Sequence, residues 1–361
     1  MKLLVIGINV RHIACSAARA GHEIFAVDSY CDLDLQRCAS KTALLMQESP
    51  DRMEAVTNSF IERFHPDAVV LGPGLEEARV KDVRVLNNPT EVGARVSDKL
   101  WLAGWLEDEG FTFISTSSSP KNLSFPALVK PRKGAGGVGC KLVSSEAELP
   151  GDEGLIFQEL IEGRPASVSV VSTGSEARAL SANEQLIGTA WSGAEGFRYS
   201  GNITPLEPPE SRLSQMAEEI VRRLGLVGSN GVDFLLTEKG PVVVEVNPRF
   251  QGSLDTVELS TGINVFQAHL DAFEGRLPTR PRPLQAAGRA IVFAPRDLKI
   301  DEDLSGPCVA DVPRPGSRIK RGDPVLSWLA AGKDRSEVLA RLMRGITELD
   351  ARGFKRELHS K

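Results

Sequence analysis

An apolar strand that ends in carboxylate, amide and guanidinium side chains could build a site for a metal ion and a phosphoryl group. The segment GPVVVEVNPRFQG presents Glu245, Asn247 and Arg249 directly after a run of valines. The preceding segment GVDFLLTEKG predicts a hairpin partner with its turn at TEKG, and a loop of about three residues would place Asp233 opposite Glu245. Alternation along the strand predicts two faces, with Val242, Val244 and Val246 on one and Val243, Glu245 and Asn247 on the other.

Two carboxylates and an amide oxygen in one patch are hard oxygen ligands of the kind that bind Mg²⁺ (or Mn²⁺). Asp233 and Glu245 would repel each other without a cation or a basic partner nearby. The planar guanidinium of Arg249 can hold a carboxylate or the phosphoryl group that is transferred. The alternative interpretation is a salt-bridged strand end that binds no metal.

A glycine-rich loop between two short strands is the second candidate. The segment PALVKPRKGAGGVGCKLV places Lys130 at the end of the first strand and Lys133 beside the loop. Glycines let backbone amides approach an oxyanion closely and let the loop move, and here they are Gly134, Gly136, Gly137 and Gly139. The loop leads into a strand and lacks the Gly-Lys-Ser/Thr of a Walker A loop, so it predicts another kind of phosphate site. A flexible hairpin with a basic tip is the alternative.

The segment FQELIEG, residues 157–163, is typical of a strand whose end offers backbone groups to a ligand. Such amide and carbonyl groups suit the edge of an adenine, and Glu162 suits a ribose. The candidate contacts are Gln158, Glu159, Leu160, Ile161 and Glu162. Because ordinary strands have the same pattern, this segment indicates a nucleotide only together with the other motifs.

The elements that would position these groups follow from the apolar periodicity. LLVIGINV, GHEIFAVD and DAVVLGPG alternate with helical stretches, which predicts a doubly wound parallel sheet. Ser97 is a fair N-cap for a helix that Gly110 ends. The elements expected farther on are a β-rich stretch at 126–185, an amphipathic helix at 211–224, a helix near 262–273, short strands from about 280 and a last helix from 335.

Composition and charge restrict the class of protein. The chain has 361 residues and a net charge of −5 with both signs interspersed, which argues against nucleic acid or an anionic membrane surface as the main partner. No apolar run reaches the roughly 18 residues of a membrane span. The cysteines lack CxxC spacing, so we expect a reduced, cytoplasmic protein with neither a disulfide scaffold nor a structural zinc site; they are Cys15, Cys31, Cys38, Cys140 and Cys308.

In their order and separation, the motifs resemble those of the ATP-grasp superfamily. They are Lys99 in SDKLWLAGWL, Lys130 before the glycine loop, FQELIEG, Asp233 and VVVEVNPRFQGS. The match covers roughly residues 95–275, and the whole chain resembles the predicted ATP-dependent carboligases related to biotin carboxylase. The resemblance implies a pre-ATP-grasp α/β domain at 1–94, a two-subdomain ATP-grasp domain at 95–279 with its lid at about 115–185, and a small β-rich, barrel-like region with a final helix at 280–361.

The resemblance also implies roles for individual residues. Lys99 and Lys130 would contact the ATP phosphates beneath the glycine loop. Backbone groups at Gln158 and Ile161 would bind adenine, and Glu162 would lie near the ribose. Asp233, Glu245 and Asn247 would hold magnesium, Arg249 would stabilise an acyl phosphate, and Gln251 would line the acceptor site. Two departures stand out: RPAS follows EG where many relatives carry another acidic residue, and Asp233 replaces a longer Glu.

The implied reaction joins a carboxylate to an amine. The carboxylate attacks the γ-phosphate of ATP, and the amine then displaces phosphate from the acyl phosphate, so that positioning and charge neutralisation supply the catalysis. One alternative is a biotin-carboxylase-like, ATP-dependent carboxylase that uses bicarbonate, and another is a non-catalytic ATP-binding regulator. The partners expected are small molecules; relatives are often dimers, although no segment of this sequence identifies an interface. Candidate substrate contacts are Arg11, Glu184, Gln185, Tyr199, Asn202 and Gln251.

Overall fold

The beginning of the chain forms a parallel sheet whose central strands are buried. The computed structural model describes residues 1–45, 50–80, 82–121, 123–151 and 153–349. The first elements are β1 (Lys2–Gly7), α1 (Arg11–Arg19), β2 (Glu23–Asp28), α2 (Leu33–Cys38), β3 (Lys41–Leu44), α3 (Pro50–Phe64), β4 (Ala68–Leu71) and β5 (Arg84–Val85). The strand order is β3-β2-β1-β4-β5 and every pairing is parallel, which confirms the predicted doubly wound sheet. The sequence did not predict β3 and β5, because both are short and partly exposed.

Two helices follow this sheet, of which only the second was predicted. They are α4 (Thr90–Val96) and α5 (Lys99–Asp108). Asp98, rather than the predicted Ser97, caps α5, since its carboxylate accepts from the amide of Leu100 at 3.1 Å and that of Trp101 at 3.3 Å. Lys99 is therefore the first residue of a capped helix, which restricts where its side chain can point.

The glycine loop belongs to a small antiparallel sheet. Its strands are β6 (Thr116–Ser117), β7 (Ala127–Pro131), β8 (Lys141–Val143) and β9 (Leu155–Glu159), in the order β6-β9-β7-β8. The loop joins β7 to β8, and β9 lies between β6 and β7. The sheet thus ends at Glu159, whereas the predicted lid extends to about residue 185.

A large sheet of eight strands, which differ in length, contains most of the remaining chain. Its elements and those packed on it are β10 (Arg164–Thr173), β11 (Ala177–Ile187), β12 (Tyr199–Thr204), α6 (Ser211–Arg223), β13 (Val227–Thr237), β14 (Gly240–Asn247), α7 (Leu254–Thr261), α8 (Val265–Phe273), β15 (Ala286–Phe293), β16 (Leu298–Lys299), β17 (Val309–Ala310), β18 (Arg318–Ile319), β19 (Pro324–Gly332) and α9 (Arg335–Leu349). The order is β14-β13-β10-β11-β12-β15-β19-β17, while β16 pairs with β18. The C-terminal strands β15, β17 and β19 therefore continue the sheet that holds the hairpin.

The apolar stripe of α6 covers one face of this sheet. Leu213, Ala217 and Ile220 are fully buried and share a core with Phe234 and Val246, as the amphipathic pattern predicted. Burying each large apolar side chain contributes about 1.5–3 kcal/mol, so this helix holds the hairpin strands in place. No helix among the described residues has the length and apolar character needed to cross a bilayer.

One cysteine pair differs from the expectation of reduced thiols. Cys15 in α1 and Cys38 at the end of α2 form a disulfide. Their separation of 23 residues has no spacing motif, and only the packing of the two helices brings them together. Cys31, Cys140 and Cys308 are free.

Candidate active site

A cavity of about 890 Å³ lies between the small sheet, the large sheet and the strand ends of the first sheet. Most residues that the sequence singled out line it, although they come from segments far apart in the chain. They are Lys99, Lys130, Gly134, Gly136, Gly137, Gln158, Leu160, Ile161, Glu162, Gln185, Tyr199, Asp233, Glu245, Asn247, Arg249 and Gln251. The tertiary structure therefore brings the separate motifs into one site.

The hairpin β13–β14 pairs Asp233 with Glu245, which confirms the predicted juxtaposition. The turn between Thr237 and Gly240 consists of residues 238–239, shorter than the predicted loop of about three. Such a turn alone would pair Asp233 with residue 244. A β-bulge next to Asp233 shifts the register by one residue and restores the pairing of the two carboxylates.

The bulge also changes which valines face the core. Val243 and Val246 are both buried in the core beneath the large sheet, whereas Val244 lines the cavity with Glu245 and Asn247. The predicted alternation, which put Val243 on the face of Glu245 and Val244 on the other, is wrong at these two positions. Bulges of this kind re-aim side chains near functional sites.

The carboxylates of this hairpin have oxygen atoms available for a ligand. Asp233 Oδ2 accepts from Asn247 Nδ2 at 3.2 Å, while its buried Oδ1 has no hydrogen-bond partner among the described residues. Burial and the neighbouring Glu245 raise the pKa of Asp233, because both disfavour its charged form. A cation would satisfy the unpaired oxygen and relieve the repulsion, so these residues fit Mg²⁺.

The same ligand set is small. Within the described residues, no group of three or more His, Cys, Asp or Glu side chains could hold a metal ion. Mg²⁺ commonly takes one or two carboxylates and completes its shell with water and substrate phosphates. Two carboxylates and an amide therefore suit a metal that arrives with a nucleotide better than a permanently bound one.

Lys99 and Lys130 place positive charge beside Glu245. Lys99 Nζ lies 3.5 Å from Glu245 Oε2 and donates to Gly134 O at 2.7 Å. Lys130 is 7% exposed, and burial together with the Lys99 charge lowers its pKa, while Glu245 opposes the shift. An anionic ligand would stabilise both ammonium groups, as a phosphate does.

The glycine loop contacts the start of β12. Gly136 O accepts a hydrogen bond from Tyr199 N at 3.1 Å. At Gly137 the φ angle is 74°, and an added Cβ would lie 1.9 Å from Phe197 O. Only glycine permits this approach, so the loop can close over the cavity in this position.

The end of β9 differs in part from the predicted adenine contact. Gln158 pairs with both Thr116 and Leu128, so its backbone belongs to the small sheet, and the residue also lines the cavity. Its Nε2 donates to Thr116 Oγ1 at 2.7 Å. Residues 160–162 lie beyond the strand and line the same cavity, which leaves this part of the segment for the predicted contact.

The first sheet positions Arg249. Its Nε lies 2.6 Å from Glu76 Oε1, and an Nη donates to Asn247 Oδ1 at 3.1 Å. Glu76 follows β4, so it reaches the hairpin only through the tertiary fold. These two contacts hold the guanidinium beside the paired carboxylates.

Three residues predicted for nucleotide binding do not line the cavity. Lys133 pairs with Glu77 at 2.8 Å on the surface. Gly139 packs against Pro131, and Glu159 is exposed. Their roles were inferred from their position in a motif, and the turn of the chain directs them elsewhere.

Three candidate substrate contacts are instead part of buried networks. Arg11 forms a bidentate pair with Asp255, at 2.8 and 2.6 Å. Glu184 forms another with Arg335, both contacts at 2.6 Å, which joins β11 to α9. Asn202 is fully buried and accepts from the Tyr199 hydroxyl at 3.1 Å. None of the three lines the cavity, whereas Gln185, Tyr199 and Gln251 do.

Several cavity residues were missed by the sequence interpretation. Arg289 is buried in β15, where it donates to Ser327 Oγ at 2.9 Å, Gly252 O at 3.0 Å and Asp311 at 2.7 Å. A charged residue inside the apolar run AAGRAIVF was a usable signal. Asn9, His12, Tyr30 and Asp32 also line the cavity, and nothing in their spacing pointed to it.

Comparisons with known proteins found one matching family model and several similar proteins. Residues 96–253 match the family model described as the ATP-grasp domain. The chain is 24% identical to an uncharacterized protein of Methanocaldococcus jannaschii, covering 91% of this chain and 88% of that protein. It is 25% identical to the 3-methyl-D-ornithine–L-lysine ligase of Methanosarcina mazei, covering 68% and 67%. The fold is similar to that of Campylobacter jejuni biotin carboxylase, with a TM-score of 0.74 at 17% identity over 94% of this chain and 89% of that one.

Proposed function

We propose that the protein is an ATP-dependent carboxylate–amine ligase that works through an acyl phosphate and releases ADP and phosphate, because residues 96–253 match the model of the ATP-grasp domain. Its substrates would be small molecules, and we propose a cytoplasmic location. Sedimentation of the purified protein would show whether two copies associate into a homodimer.

The observation that carries this proposal is the arrangement around the hairpin. The paired carboxylates Asp233 and Glu245, the ammonium of Lys99 and the guanidinium of Arg249 all line one cavity. Such a set suits a phosphoryl donor and its metal at one place, with a cationic fork beside them. A purely structural salt-bridge network would leave no buried carboxylate oxygen unpaired, as Asp233 Oδ1 is.

Each residue has a distinct part in the proposed reaction. Lys99 and Lys130 would bind phosphate oxygens, and the amides of the glycine loop would cover them. Mg²⁺ held by Asp233, Glu245 and Asn247 would neutralise phosphate charge. Arg249, oriented by Glu76 and Asn247, would stabilise the acyl phosphate. The closed loop would exclude water, which otherwise hydrolyses this intermediate.

The experiment is a screen for carboxylates that stimulate ADP release, with hydroxylamine added to trap the acyl phosphate as a hydroxamate. We expect carboxylate-dependent ADP release and hydroxamate formation. If no carboxylate, bicarbonate included, stimulates ADP release, the ligase proposal is wrong and an ATP-binding regulator remains. Stimulation by bicarbonate alone, without amide formation, would indicate a carboxylase.

A substitution tests whether the hairpin supplies the metal site. Glu245→Gln keeps the size of the side chain and removes its charge, so we expect turnover to fall by at least about 100-fold, the order seen when one charge-stabilising group is removed. Glu176→Gln, an exposed position in the turn between β10 and β11, is the matched control and should leave turnover unchanged. Full activity of Glu245→Gln would exclude the hairpin as the metal site.

A further inference from the structure

One end of the cavity is lined by polar residues that the ATP site does not use. Asn9 and His12 follow β1, and Tyr30 and Asp32 follow β2. Both strands lie side by side in the parallel sheet, so all four residues lie beyond its carboxyl edge. Ligands of open parallel sheets commonly bind outside this edge.

His12 is buried without any satisfied ring nitrogen. Its side chain is 4% exposed, and neither Nδ1 nor Nε2 has a hydrogen-bond partner among the described residues. Burial and the adjacent Arg11 lower the pKa of His12 to about 3, so the imidazole is neutral and offers one donor and one acceptor. Asn9 Oδ1 is also buried and unpaired. Buried polar atoms are almost always hydrogen-bonded in native structures, so these atoms point to a ligand.

Asp32 adds a carboxyl group without a cation. It is 5% exposed, and the hydrogen bonds and ion pairs of the described residues give its side chain no partner. It precedes α2 but makes no capping bond. Burial and the carboxylates of Asp311 and Asp28 raise the pKa of Asp32 to about 9, because each disfavours its ionised form.

The charged side chains around this end of the cavity leave an excess of negative charge. The nearby guanidiniums of Arg11 and Arg289 are already paired, Arg11 with Asp255 and both with Asp311. The acidic groups around this end outnumber Arg11 and Arg289; they are Asp28, Asp32, Asp34, Asp255 and Asp311. Two further arginines act on the neighbouring residues, Arg198 on Tyr30 and Arg314 on Cys31. An uncompensated buried carboxylate favours a cationic partner.

We propose that Asn9, His12 and Asp32 form the subsite that binds the ammonium group of a primary-amine substrate, with Asp32 as its counter-ion. A primary ammonium has three N–H donors. The subsite offers two unpaired acceptors, a His12 ring nitrogen and Asn9 Oδ1, together with the carboxyl group of Asp32, which lines the same cavity. The subsite opens into the cavity that Arg249 and Glu245 line. This assignment rests on the proposed ligase function and identifies its second substrate as an amine that arrives charged.

Binding of simple amines to the full chain tests the assignment without catalysis. The probes are ethanolamine, glycinamide and 1,4-diaminobutane, titrated calorimetrically into the wild type, Asp32→Asn and the control Asp301→Asn. Asp301 is 72% exposed and does not line the cavity. Since Asp32 has no bond to lose, Asp32→Asn should fold normally, which thermal melting checks. His12→Gln, which keeps a donor and an acceptor, is the second variant.

We expect saturable binding of at least one probe, at least tenfold weaker in Asp32→Asn and unchanged in Asp301→Asn. Binding to the wild type should release a proton, seen as a dependence of the heat on the buffer, and Asp32→Asn should not show this release. His12→Gln should bind about as tightly as the wild type or severalfold more weakly, with the proton release retained. Equal binding to the wild type and Asp32→Asn, or no saturable binding of any probe, overturns the subsite.

Failure of the ligase proposal would give a different result. In that case ADP release would not depend on any carboxylate, whereas the binding of amines would still separate the wild type from Asp32→Asn. Conversely, hydroxamate formation that is normal in both proteins, with equal amine binding, would overturn the subsite and leave the ligase proposal intact.

Discussion

Closure of the glycine loop can be tested by comparing two neighbouring glycines that differ in one respect. Gly136 and Gly137 have nearly the same backbone conformation, with φ of 67° and 74°. A Cβ at Gly136 would meet nothing within 4 Å, whereas one at Gly137 would lie 1.9 Å from Phe197 O. Gly136→Ala therefore measures backbone strain alone, and Gly137→Ala adds a collision with the segment that precedes β12.

The expected magnitudes follow from these two effects. Alanine in the left-handed region costs about 1–2 kcal/mol, and both variants bear this cost when the loop is closed. In Gly137→Ala the loop must also move away, which breaks the bond from Tyr199 N to Gly136 O, worth about 0.5–1.5 kcal/mol. Because 1.4 kcal/mol is a factor of ten, ATP should bind about 2- to 12-fold more weakly to Gly137→Ala than to Gly136→Ala.

The first assay measures the equilibrium binding of ATP with Mg²⁺ through competition with a fluorescent ATP analogue. The second is thermal melting of each variant without nucleotide. Because Ala135 and Val138 of the same loop are exposed, the melting temperatures of the two variants should agree closely. Equal ATP affinity of Gly136→Ala and Gly137→Ala would refute closure of the loop against Phe197. A large loss of melting temperature in Gly137→Ala alone would show that the contact supports the fold instead.

Three further results are expected. Gly231→Ala would place a Cβ 1.7 Å from Gln251 Nε2, so the side chain of Gln251 must move. We expect the KM for the carboxylate or the amine, measured from initial rates, to change by about tenfold, while the affinity for ATP stays unchanged. Arg335→Met leaves the buried carboxylate of Glu184 without its ion-pair partner. The free energy of unfolding, measured in urea, should fall by about 1–3 kcal/mol. This loss is smaller than that for a fully buried pair, because Arg335 is partly exposed. Burial lowers the pKa of His269 to about 3 from 6.5, so between these two pH values the unfolded chain binds a proton that the folded chain does not. The free energy of unfolding should therefore fall as the pH drops below about 6.5, by about 1.4 kcal/mol per pH unit. His269→Gln should abolish this part of the pH dependence.

The chemistry of the site and the type of fold were accessible from the sequence for local reasons. Apolar runs alternating with helical periodicity predict a parallel sheet, because strands covered on both faces need continuous apolar residues. Glycines beside Lys130 and carboxylates at the end of a valine run are likewise properties of short segments.

The positions of the candidate substrate contacts depended on packing between segments. Arg11 was a reasonable candidate beside the first strand, yet it pairs with Asp255, a residue of α7. Its neighbour His12 faces the cavity instead. Adjacent residues in the first turn of a helix point in different directions, so only the partner elements decide which one meets the ligand.

The sequence by itself determined which residue types stand at the strand ends, and therefore that carboxylates, lysines and an arginine were available for phosphoryl chemistry. The tertiary structure decided the register of these residues and which other residues lie beside them. The pairing of Asp233 with Glu245 depends on a bulge that lets both Val243 and Val246 enter the core. The unpaired Asp32 and His12 face the same cavity only because the first sheet packs against the large one. Periodicity describes one segment at a time, whereas bulges and shared cavities result from the fit between segments.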